Sequence, residues 1–481
     1  MTGQPNATRR RLLGGLSLAA LSTVPAIAAP AVDGAVVTQH QLGALAYTAT
    51  YTAYPLTDAA GAVQATIAST SYVVDALASP TRPVLFLYNG GPGSSSSMLQ
   101  FGGLGPRRLA GAEGALKMVD NQQHLLAEAD LVFIDPVGTG FNQIPAGGNG
   151  KPYWTADGDA KATLDVVRGW LADHHRTTSP VYLCGESYGG FRTAMLCKFA
   201  EDLPLAGLIL VSPLLDLSGH TEALGNDQPY ILQLPSMAVA AWFHGRTARG
   251  GRTAAQVFEN ARRFAQSEYA TALQQGRRLP PVELQRVAAS LSALIGMPQQ
   301  RLVDARLRID GETYMNDVLK DPALRIGSLD TRVIGSAKRP RTPAQPTTDP
   351  SFPSYGTAGA IADYFHHELK VPISRPYVTL TLDVNRAWDY RPSHGAAFYI
   401  DGTTEVAAAM EKHATMRLLI TGGYFDMSIP YLGSVYSVDH AGFDPARVTL
   451  AAMESGHSPY DDEATLHVFA EHLRTFLRGK A

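Results

Sequence analysis

The stretch Cys-Gly-Glu-Ser-Tyr-Gly-Gly at residues 184–190 decides which fold we expect for this chain. It follows the apolar run at residues 181–184 and precedes a helical pattern, so Ser187 stands where a buried strand turns sharply into a helix. In the pattern Gly-x-Ser-x-Gly, the small residues Gly185 and Gly189 let strand and helix approach closely, and the serine hydroxyl projects above the sheet. A chance match is the alternative, but the strand-turn-helix setting favours a nucleophilic serine.

The composition is that of an ordinary folded protein. The chain has 481 residues, of which 45% are hydrophobic and 17% charged, and its formal net charge is -3. This length exceeds one average domain, so we expect one large domain with an insertion, or two domains. Because neither sign of charge dominates, nothing in the composition indicates binding to nucleic acid or to an acidic membrane surface.

The N-terminus has the pattern of an export signal. Arginines at residues 9–11 precede a mildly apolar run at residues 16–27, and Ala-Ile-Ala at residues 26–28 is a small-x-small cleavage pattern. We predict a twin-arginine-type signal peptide at residues 1–28, a partner in the twin-arginine translocase, and a periplasmic or extracellular location without stable membrane association. A short membrane anchor is the alternative, although the run is shorter than the roughly 20 apolar residues of a span.

Strand and helix patterns alternate through the first half of the chain. Four continuous apolar runs, typical of strands buried on both faces, lie at residues 84–88, 131–134, 181–184 and 207–211. Their alternation with helical patterns predicts an α/β fold with a mostly parallel central sheet flanked by helices. Before them, residues 45–54 and 65–74 predict an antiparallel hairpin.

The alternation stops in the middle of the chain. Residues 218–376 contain helical segments and a proline-rich loop, and strand patterns resume at residues 417–421 and 448–453. We therefore predict that residues 29–217 and 377–481 form the sheet domain. The intervening residues are predicted to be a helical insertion that acts as a lid.

A nucleophilic serine needs a histidine that accepts its proton and a carboxylate that orients this histidine. In an architecture of this kind, the acid and then the histidine follow the serine in the chain. Asp426 stands just after one late strand and His457 just after the next, so we predict Ser187, Asp426 and His457 as the catalytic residues. Asp383 is the rival carboxylate, although it lies nearer the predicted insertion.

A glycine-rich loop, Asn-Gly-Gly-Pro-Gly at residues 89–93, follows the predicted strand at residues 84–88. Its glycines let backbone N–H groups converge on a small anion, as the oxyanion of acyl transfer requires. A phosphate-binding loop is the competing interpretation, but the lysine of such loops and the glycine spacing of dinucleotide sites are missing. A plain tight turn is the third alternative.

Four features together resemble the serine carboxypeptidase family of α/β-hydrolases, as a bacterial-type member. They are the glycine-rich loop at residues 89–93, Gly-Glu-Ser-Tyr-Gly at residues 185–189, Asp426, and Gly456 with His457. The resemblance extends from about residue 84 to the C-terminus and implies an α/β-hydrolase fold with a helical insertion. It also implies hydrolysis of the last bond of peptides with a free C-terminus, without metal or cofactor.

The resemblance also implies roles for individual residues. The N–H groups of Gly91 and Tyr188 would form the oxyanion hole. Asn89, Gly90 and Glu186 would bind the terminal carboxylate of the substrate.

The chain departs from the family near these carboxylate-binding residues. Many members carry a second glutamate that pairs with the one corresponding to Glu186, and that place holds Gly103. The two residues after His457 also differ from the usual ones. Arg192 or Arg386 is a candidate partner for the substrate carboxylate in place of the missing group. A structural or solvent-exposed role fits each arginine better.

The sequence therefore predicts an exported serine carboxypeptidase that releases C-terminal residues through an acyl-enzyme on Ser187. An esterase or acyltransferase with the same triad is the alternative, because fold and triad fix the type of reaction but not the acyl acceptor. A binding module that keeps only the fold would have lost the serine, the histidine or the glycine-rich loop, and all are present. The sequence leaves the oligomeric state open.

Overall fold

A nine-stranded sheet lies at the centre of the residues that the computed structural model describes, which are 34–111, 116–341, 347–352, 358–391 and 399–479. Together with two short hairpins, the strands are β1 (Val36–Leu42), β2 (Leu45–Thr57), β3 (Val63–Val73), β4 (Val84–Tyr88), β5 (Arg107–Ala110), β6 (Lys117–Asp120), β7 (Asp130–Asp135), β8 (Val181–Glu186), β9 (Leu205–Val211), β10 (Leu324–Ile326), β11 (Ile334–Ser336), β12 (Arg417–Gly423) and β13 (Val448–Met453). The predicted signal peptide at residues 1–28 lies outside the described residues.

Helices cover both faces of the sheet and fill the segment between β9 and β12. In chain order they are α1 (Ala156–Asp173), α2 (Tyr188–Cys197), α3 (Gln228–Phe243), α4 (Ala254–Phe264), α5 (Ala270–Gln275), α6 (Pro281–Ile295), α7 (Gln299–Asp304), α8 (Gly311–Asp317), α9 (Ala358–Asp363), α10 (Leu382–Ala387), α11 (Thr403–Lys412), α12 (Tyr431–His440) and α13 (Glu463–Leu477). Shorter helical turns lie at Asp75–Leu77, Leu99–Leu104, Lys151–Tyr153, Ala265–Tyr269, Gly276–Arg278, Tyr364–Glu368 and Pro445–Arg447.

The sheet is antiparallel at one end and parallel through the rest. Its strand order is β1-β2-β3-β7-β4-β8-β9-β12-β13. The strands from β1 to β7 in this order pair antiparallel, and each later pair is parallel. The predicted mostly parallel sheet and the predicted hairpin, β2 with β3, are confirmed. β1 was not expected, because this edge strand buries only Leu42 fully and has no continuous apolar run.

The continuous apolar runs are buried on both faces of the sheet. In β4, Val84, Phe86 and Tyr88 join the apolar cluster that includes α1, α2 and α11, whereas Leu85 and Leu87 join the cluster of α13. A strand covered on both sides has no polar face, which explains why its sequence does not alternate. Because parallel strands end at the same edge of a sheet, the chain segments after β4, β8, β12 and β13 meet there.

A third apolar cluster lies in the helical segment between β9 and β12. It joins α3 to α8 and takes in Phe425 and Tyr431, which follow β12. The helices of the predicted insertion therefore pack on the part of the chain that contains Asp426. Tyr364 and Phe365 pack instead with α13 in the sheet cluster, so the predicted insertion is not a single helical body. Its boundaries stay a prediction. In the described ranges, no helix combines the length and the apolar character needed to cross a bilayer.

Candidate active site

Ser187 lies in the sharp turn between β8 and α2. Its backbone has φ 62° and ψ -127°, a conformation that residues other than glycine rarely adopt. The Ser187 N–H donates to the Val211 carbonyl at 2.9 Å, and the Leu214 N–H donates to the Ser187 carbonyl at 3.1 Å. A Cβ on Gly185 would lie 2.1 Å from the Gly189 carbonyl oxygen, so glycine is required at this position of the motif.

His457 and Asp426 lie after neighbouring strands and share a hydrogen bond. His457 Nδ1 is 2.7 Å from Asp426 Oδ2. Asp426 is fully buried, and its other oxygen accepts hydrogen bonds from the N–H groups of Ser428 at 2.8 Å and Ile429 at 2.9 Å. A carboxylate held in this way keeps the imidazole proton on Nδ1 and leaves the lone pair on Nε2.

The surroundings of His457 favour its protonated form. Burial lowers the pKa of the imidazole, but the charge and hydrogen bond of Asp426 and the charge of Glu186 outweigh burial and raise the pKa to about 9. His457 in its neutral form is therefore a stronger base than an exposed histidine.

The segment between β10 and β11 holds the loops that follow β12 and β13. The Ser328 carbonyl accepts hydrogen bonds from the N–H groups of Met427 and Ser428, both at 2.9 Å. The Leu329 carbonyl accepts one from the His457 N–H at 2.6 Å. The predicted insertion thus fixes the two loops relative to each other through its backbone.

The glycine-rich loop after β4 packs on the start of α2. A Cβ on Gly90 would lie 2.4 Å from the Tyr188 nitrogen, and Gly91 has φ +99°, which favours glycine. Tyr188 is the first residue of α2, and the first N–H groups of a helix have no acceptor within it. The structure brings the loop that carries Gly91 against Tyr188, and the role of both residues in an oxyanion hole stays a prediction.

One cavity of about 260 Å³ brings most of the predicted site residues together. The predicted residues in its lining are Asn89, Gly90, Gly91, Glu186, Ser187 and His457. Ser187 is half-buried there, and within the described part of the chain it makes hydrogen bonds through its backbone only. Asp426 is buried beside His457, and the Tyr188 side chain is buried with its hydroxyl bonded to Trp388 Nε1 at 3.0 Å.

The rest of the cavity wall is mostly apolar. The half-buried apolar side chains that form it are Met98, Leu329, Phe352, Leu380 and Leu382. Asn385, Ser428 and Ser94, which follows the glycine-rich loop, add polar groups, and the described lining contains no lysine or arginine. These residues were not identified from the sequence, because they lie on separate segments without a motif of their own.

Glu186 lines the same cavity but is 1% exposed, and three neutral groups donate to its carboxyl. Asn89 Nδ2 donates to Oε2 at 2.7 Å, the Tyr460 hydroxyl donates to Oε2 at 2.5 Å, and the Ser458 hydroxyl donates to Oε1 at 2.9 Å. Burial raises the pKa of Glu186 and prevails over the charge of His457 and the three hydrogen bonds, which lower it. Ser458 and Tyr460 were not assigned to the site from the sequence. The available signal was their position just after His457.

Tyr460 occupies the space beside Gly102 and Gly103. A Cβ on Gly102 would lie 2.7 Å from Cδ2 of the tyrosine ring, and a Cβ on Gly103 would lie 3.1 Å from the tyrosine Cβ. The resemblance to the family implied that a second carboxyl is missing at Gly103. In the structure a tyrosine packs against this position and places its hydroxyl on Glu186.

The alternative candidates from the sequence lie elsewhere. The side chain of Asp383 is 91% exposed and pairs with Arg386 at 3.1 Å. Arg192 is fully buried, bonds Asp159 at 2.5 Å and donates to the Asn89 carbonyl, so it supports the glycine-rich loop. Asp383 and both arginines are absent from the described lining of the cavity.

These features define the class of protein. A mostly parallel sheet, a serine at a strand-turn-helix elbow, and an acid and a histidine after later strands form the α/β-hydrolase fold with the arrangement of a serine hydrolase. Residues 71–201 match the serine carboxypeptidase family model. The matched segment contains the glycine-rich loop and Ser187 but ends before Asp426 and His457. The hydrogen bond between Asp426 and His457 is seen in the structure.

Two known proteins are similar to this chain. The chain is 29% identical over 151 residues to serine carboxypeptidase-like 33 of Arabidopsis thaliana, a region that is 28% of this chain and 30% of the plant protein. The match thus spans less than a third of that relative. The crystal structure of Kex1Δp, a prohormone-processing carboxypeptidase from Saccharomyces cerevisiae, is similar with a TM-score of 0.53 and 15% identity, over 90% of this chain and 91% of that chain. At this identity the likeness shows the fold alone.

Proposed function

We propose that this protein is an exported, bacterial-type serine carboxypeptidase that releases C-terminal residues from peptides through an acyl-enzyme on Ser187. The observation that carries the proposal is the single cavity in which Ser187 and His457 lie with Asn89 and Glu186. Cleavage at a chain end needs the reacting groups and the groups that recognise the end in one place, and this cavity contains candidates for both.

The proposed reaction begins when the Ser187 hydroxyl gives its proton to Nε2 of His457 and the serine oxygen attacks the carbonyl carbon of the last peptide bond. The N–H groups of Gly91 and Tyr188 stabilise the negative oxygen of the tetrahedral intermediate. The carbon–nitrogen bond then breaks, and His457 passes its proton to the departing amine. Water activated by His457 hydrolyses the ester, which releases the shortened peptide and restores Ser187. Asp426 holds the imidazole and stabilises its charged form throughout.

Restriction to chain ends would come from the polar side of the cavity. Asn89 Nδ2 carries two hydrogens, of which one bonds Glu186, so the other can donate to a substrate carboxylate, as can the Gly90 N–H. Glu186 can assist only when it is protonated, because two carboxylates in one cavity repel each other. Burial raises the pKa of Glu186 and so favours this protonated form.

Export is proposed from the N-terminal pattern. The arginines at residues 9–11 and Ala-Ile-Ala at residues 26–28 support a twin-arginine route to the periplasm or the exterior. Replacing the three arginines by lysines should keep the protein in the cytoplasm, which fractionation of expressing bacteria measures. Unchanged export from cells that lack the twin-arginine translocase would contradict this route.

An esterase or acyltransferase with the same triad is the second candidate, and one observation favours it. The described lining offers no lysine or arginine to pair with a substrate carboxylate, whereas its apolar wall suits an uncharged acyl chain. This candidate uses the same acyl-enzyme on Ser187 and differs in the leaving group and the acceptor.

The test compares one peptide as the free acid and as the C-terminal amide with a small activated ester, and mass spectrometry identifies the released residues. We expect the free acid to lose its last residue about tenfold faster than the amide, because the amide lacks the recognised charge. Ser187→Ala should abolish all three reactions. Equal rates on acid and amide would remove the carboxypeptidase proposal, and ester hydrolysis without any peptide cleavage would favour the esterase.

A further inference from the structure

Glu186 is held by two hydroxyl groups that the proposed reaction does not use. Tyr460 and Ser458 donate to its carboxyl at 2.5 Å and 2.9 Å, and both residues are buried. Neither belongs to the described lining of the cavity that contains Ser187. A substrate in that cavity therefore meets Glu186 and not the hydroxyls behind it.

We propose that Tyr460 is a positioning residue for Glu186, with Ser458 as a second support. The two hydroxyls fix the buried carboxyl beside Asn89 and thereby set how it meets a substrate and how strongly its charge acts on His457. This inference rests on the proposed function, because it assigns how the recognition side of that site is held.

The ring of Tyr460 is itself fixed by its surroundings. Gly102 and Gly103 lie against it so closely that a Cβ at either position would be 2.7 Å or 3.1 Å from the tyrosine side chain. On α13, the ring of Phe469 lies with its centroid 6.4 Å from that of Tyr460. The hydroxyl is therefore held in one position, where it donates a hydrogen bond to Glu186 Oε2.

The hydrogen bonds also direct the proton of Glu186 to one oxygen. Oε2 accepts from both Asn89 and Tyr460, which occupies its two lone pairs. In the described part of the chain, Oε1 accepts from Ser458 alone, so this oxygen can carry a proton while it still accepts that hydrogen bond. Burial and the nearby Glu186 raise the pKa of Tyr460 well above its ordinary value, so its hydroxyl stays a donor. Glu186 can then titrate at Oε1 without moving.

The titratable groups that face Glu186 are His457, Tyr460 and Asp461 after β13 and Cys184 on β8, while Asp330 and Arg332 face Asp461. Among these, His457 is the group whose protonation governs the reaction. The negative charge of Glu186 raises the pKa of His457. Loss of that charge must therefore lower the pKa of His457. The imidazole then stays neutral, and can accept the serine proton, down to a lower pH.

The experiment measures kcat/KM against pH for a small uncharged activated ester, with wild type, Tyr460→Phe, Glu186→Gln and the double variant. Without the tyrosine hydroxyl the ionised carboxyl loses a hydrogen bond that lowers the pKa of Glu186, so this pKa rises further. In the plot of kcat/KM against pH, we expect the acid limb to move to lower pH by about half a unit for Tyr460→Phe. For Glu186→Gln it should move further. In the Glu186→Gln background, Tyr460→Phe should add no shift, because the charge through which it acts is absent.

Tyr314→Phe is the matched control. Its hydroxyl donates a buried hydrogen bond to the Met237 carbonyl at 2.6 Å within the helical cluster, so its loss should leave the acid limb unchanged. An unmoved acid limb in Tyr460→Phe, or the same shift with and without Glu186, would overturn the proposal. If Tyr460→Phe does not fold, Ser458→Ala decides, since it removes the other hydroxyl and should move the limb in the same direction. No shift in that variant would also overturn the proposal.

A second readout separates this inference from the proposed function. For a free-acid peptide at a pH low enough to protonate Glu186 in both proteins, Tyr460→Phe should raise KM about fivefold and change kcat less, because the carboxyl is no longer held in place beside Asn89. The ester carries no carboxylate, so its pH profile tests the link from Tyr460 through Glu186 to His457 whether or not peptides are cleaved. A shifted ester profile without peptide cleavage by the wild type would refute the carboxypeptidase proposal and support the positioning role.

Discussion

His457 Nδ1 and Asp426 Oδ2 lie 2.7 Å apart in a buried pair, and the second carboxylate oxygen is occupied by two backbone N–H groups. Asp426→Asn would place an amide NH₂ against Nδ1 and force the imidazole into the wrong tautomer. We expect kcat on the activated ester to fall by about 10⁴-fold. Asp383→Asn is the control, because that side chain is 91% exposed, and it should stay within about twofold of wild type. The opposite pattern would identify Asp383 as the carboxylate.

The raised pKa of His457 predicts activity on the alkaline side of neutrality. Burial lowers this pKa, but Asp426 and Glu186 raise it from 6.5 to about 9. Because only neutral imidazole accepts the serine proton, activity is lost as pH falls below this pKa. We expect kcat/KM for an uncharged ester to rise between about pH 6.5 and 9 and then level off. A plateau reached below pH 7 would contradict this assignment.

Recognition of a free carboxylate should have the opposite pH dependence. Burial raises the pKa of Glu186, but above that pKa the ionised side chain repels a substrate carboxylate. The ratio of kcat/KM for a free-acid peptide to that for its amide should therefore fall as pH rises from 4 to about 8. Glu186→Gln should flatten this ratio, since glutamine donates a hydrogen bond at any pH, whereas Asn89→Ala should lower it about tenfold throughout. A ratio near one at all pH values in wild type would exclude recognition of the chain end.

The fold and the elbow could be predicted because their signals are local. A strand buried on both faces shows a continuous apolar run, and the turn at Ser187 needs the glycines on either side of it. The partners Asp426 and His457 were predicted from their order and their place after late strands. Their contact at 2.7 Å agrees with that inference, although the chain separates the two residues by a full strand and helix.

The support of Glu186 and the cavity wall could not be predicted, because both depend on contacts between distant segments. Tyr460 reaches Glu186 only because Gly102 and Gly103 leave room for its ring. The insertion was expected to cover the site with its helices. Of its residues, Leu329 and Phe352 lie in the described lining, while α3 to α8 pack around the segment that follows β12.

The apolar wall predicts which residues are released. Wild type should cleave peptides that end in leucine or phenylalanine about tenfold faster than those that end in lysine, because the described lining has no acidic group besides Glu186. Leu382→Asp adds a charge to the wall and should narrow or reverse this preference, measured as kcat/KM on matched peptides. Leu224→Asp is the control, since Leu224 is 99% exposed and lies outside the lining. An unchanged preference in Leu382→Asp would show that the substrate side chain lies elsewhere.

We expect a glutamate at position 103, where the family resemblance would place one, to destabilise the fold. A Cβ at this position would lie 3.1 Å from both Cβ and Cδ1 of Tyr460, so a larger side chain must displace the tyrosine or strain the buried helical turn Leu99–Leu104. We expect Gly103→Glu to lower the free energy of unfolding by about 1–3 kcal/mol, as overpacking does, and Gly103→Ala to cost less.

Gly359→Glu is the matched control for this change. Its Cβ would meet no atom within 4 Å, and α9 gains a better helix former there, so stability should be unchanged or higher. The midpoint of urea-induced unfolding followed by circular dichroism measures the difference. If Gly103→Glu keeps both wild-type stability and the wild-type KM for free-acid peptides, the space beside Glu186 is not set by Tyr460, and a second carboxyl can be restored there.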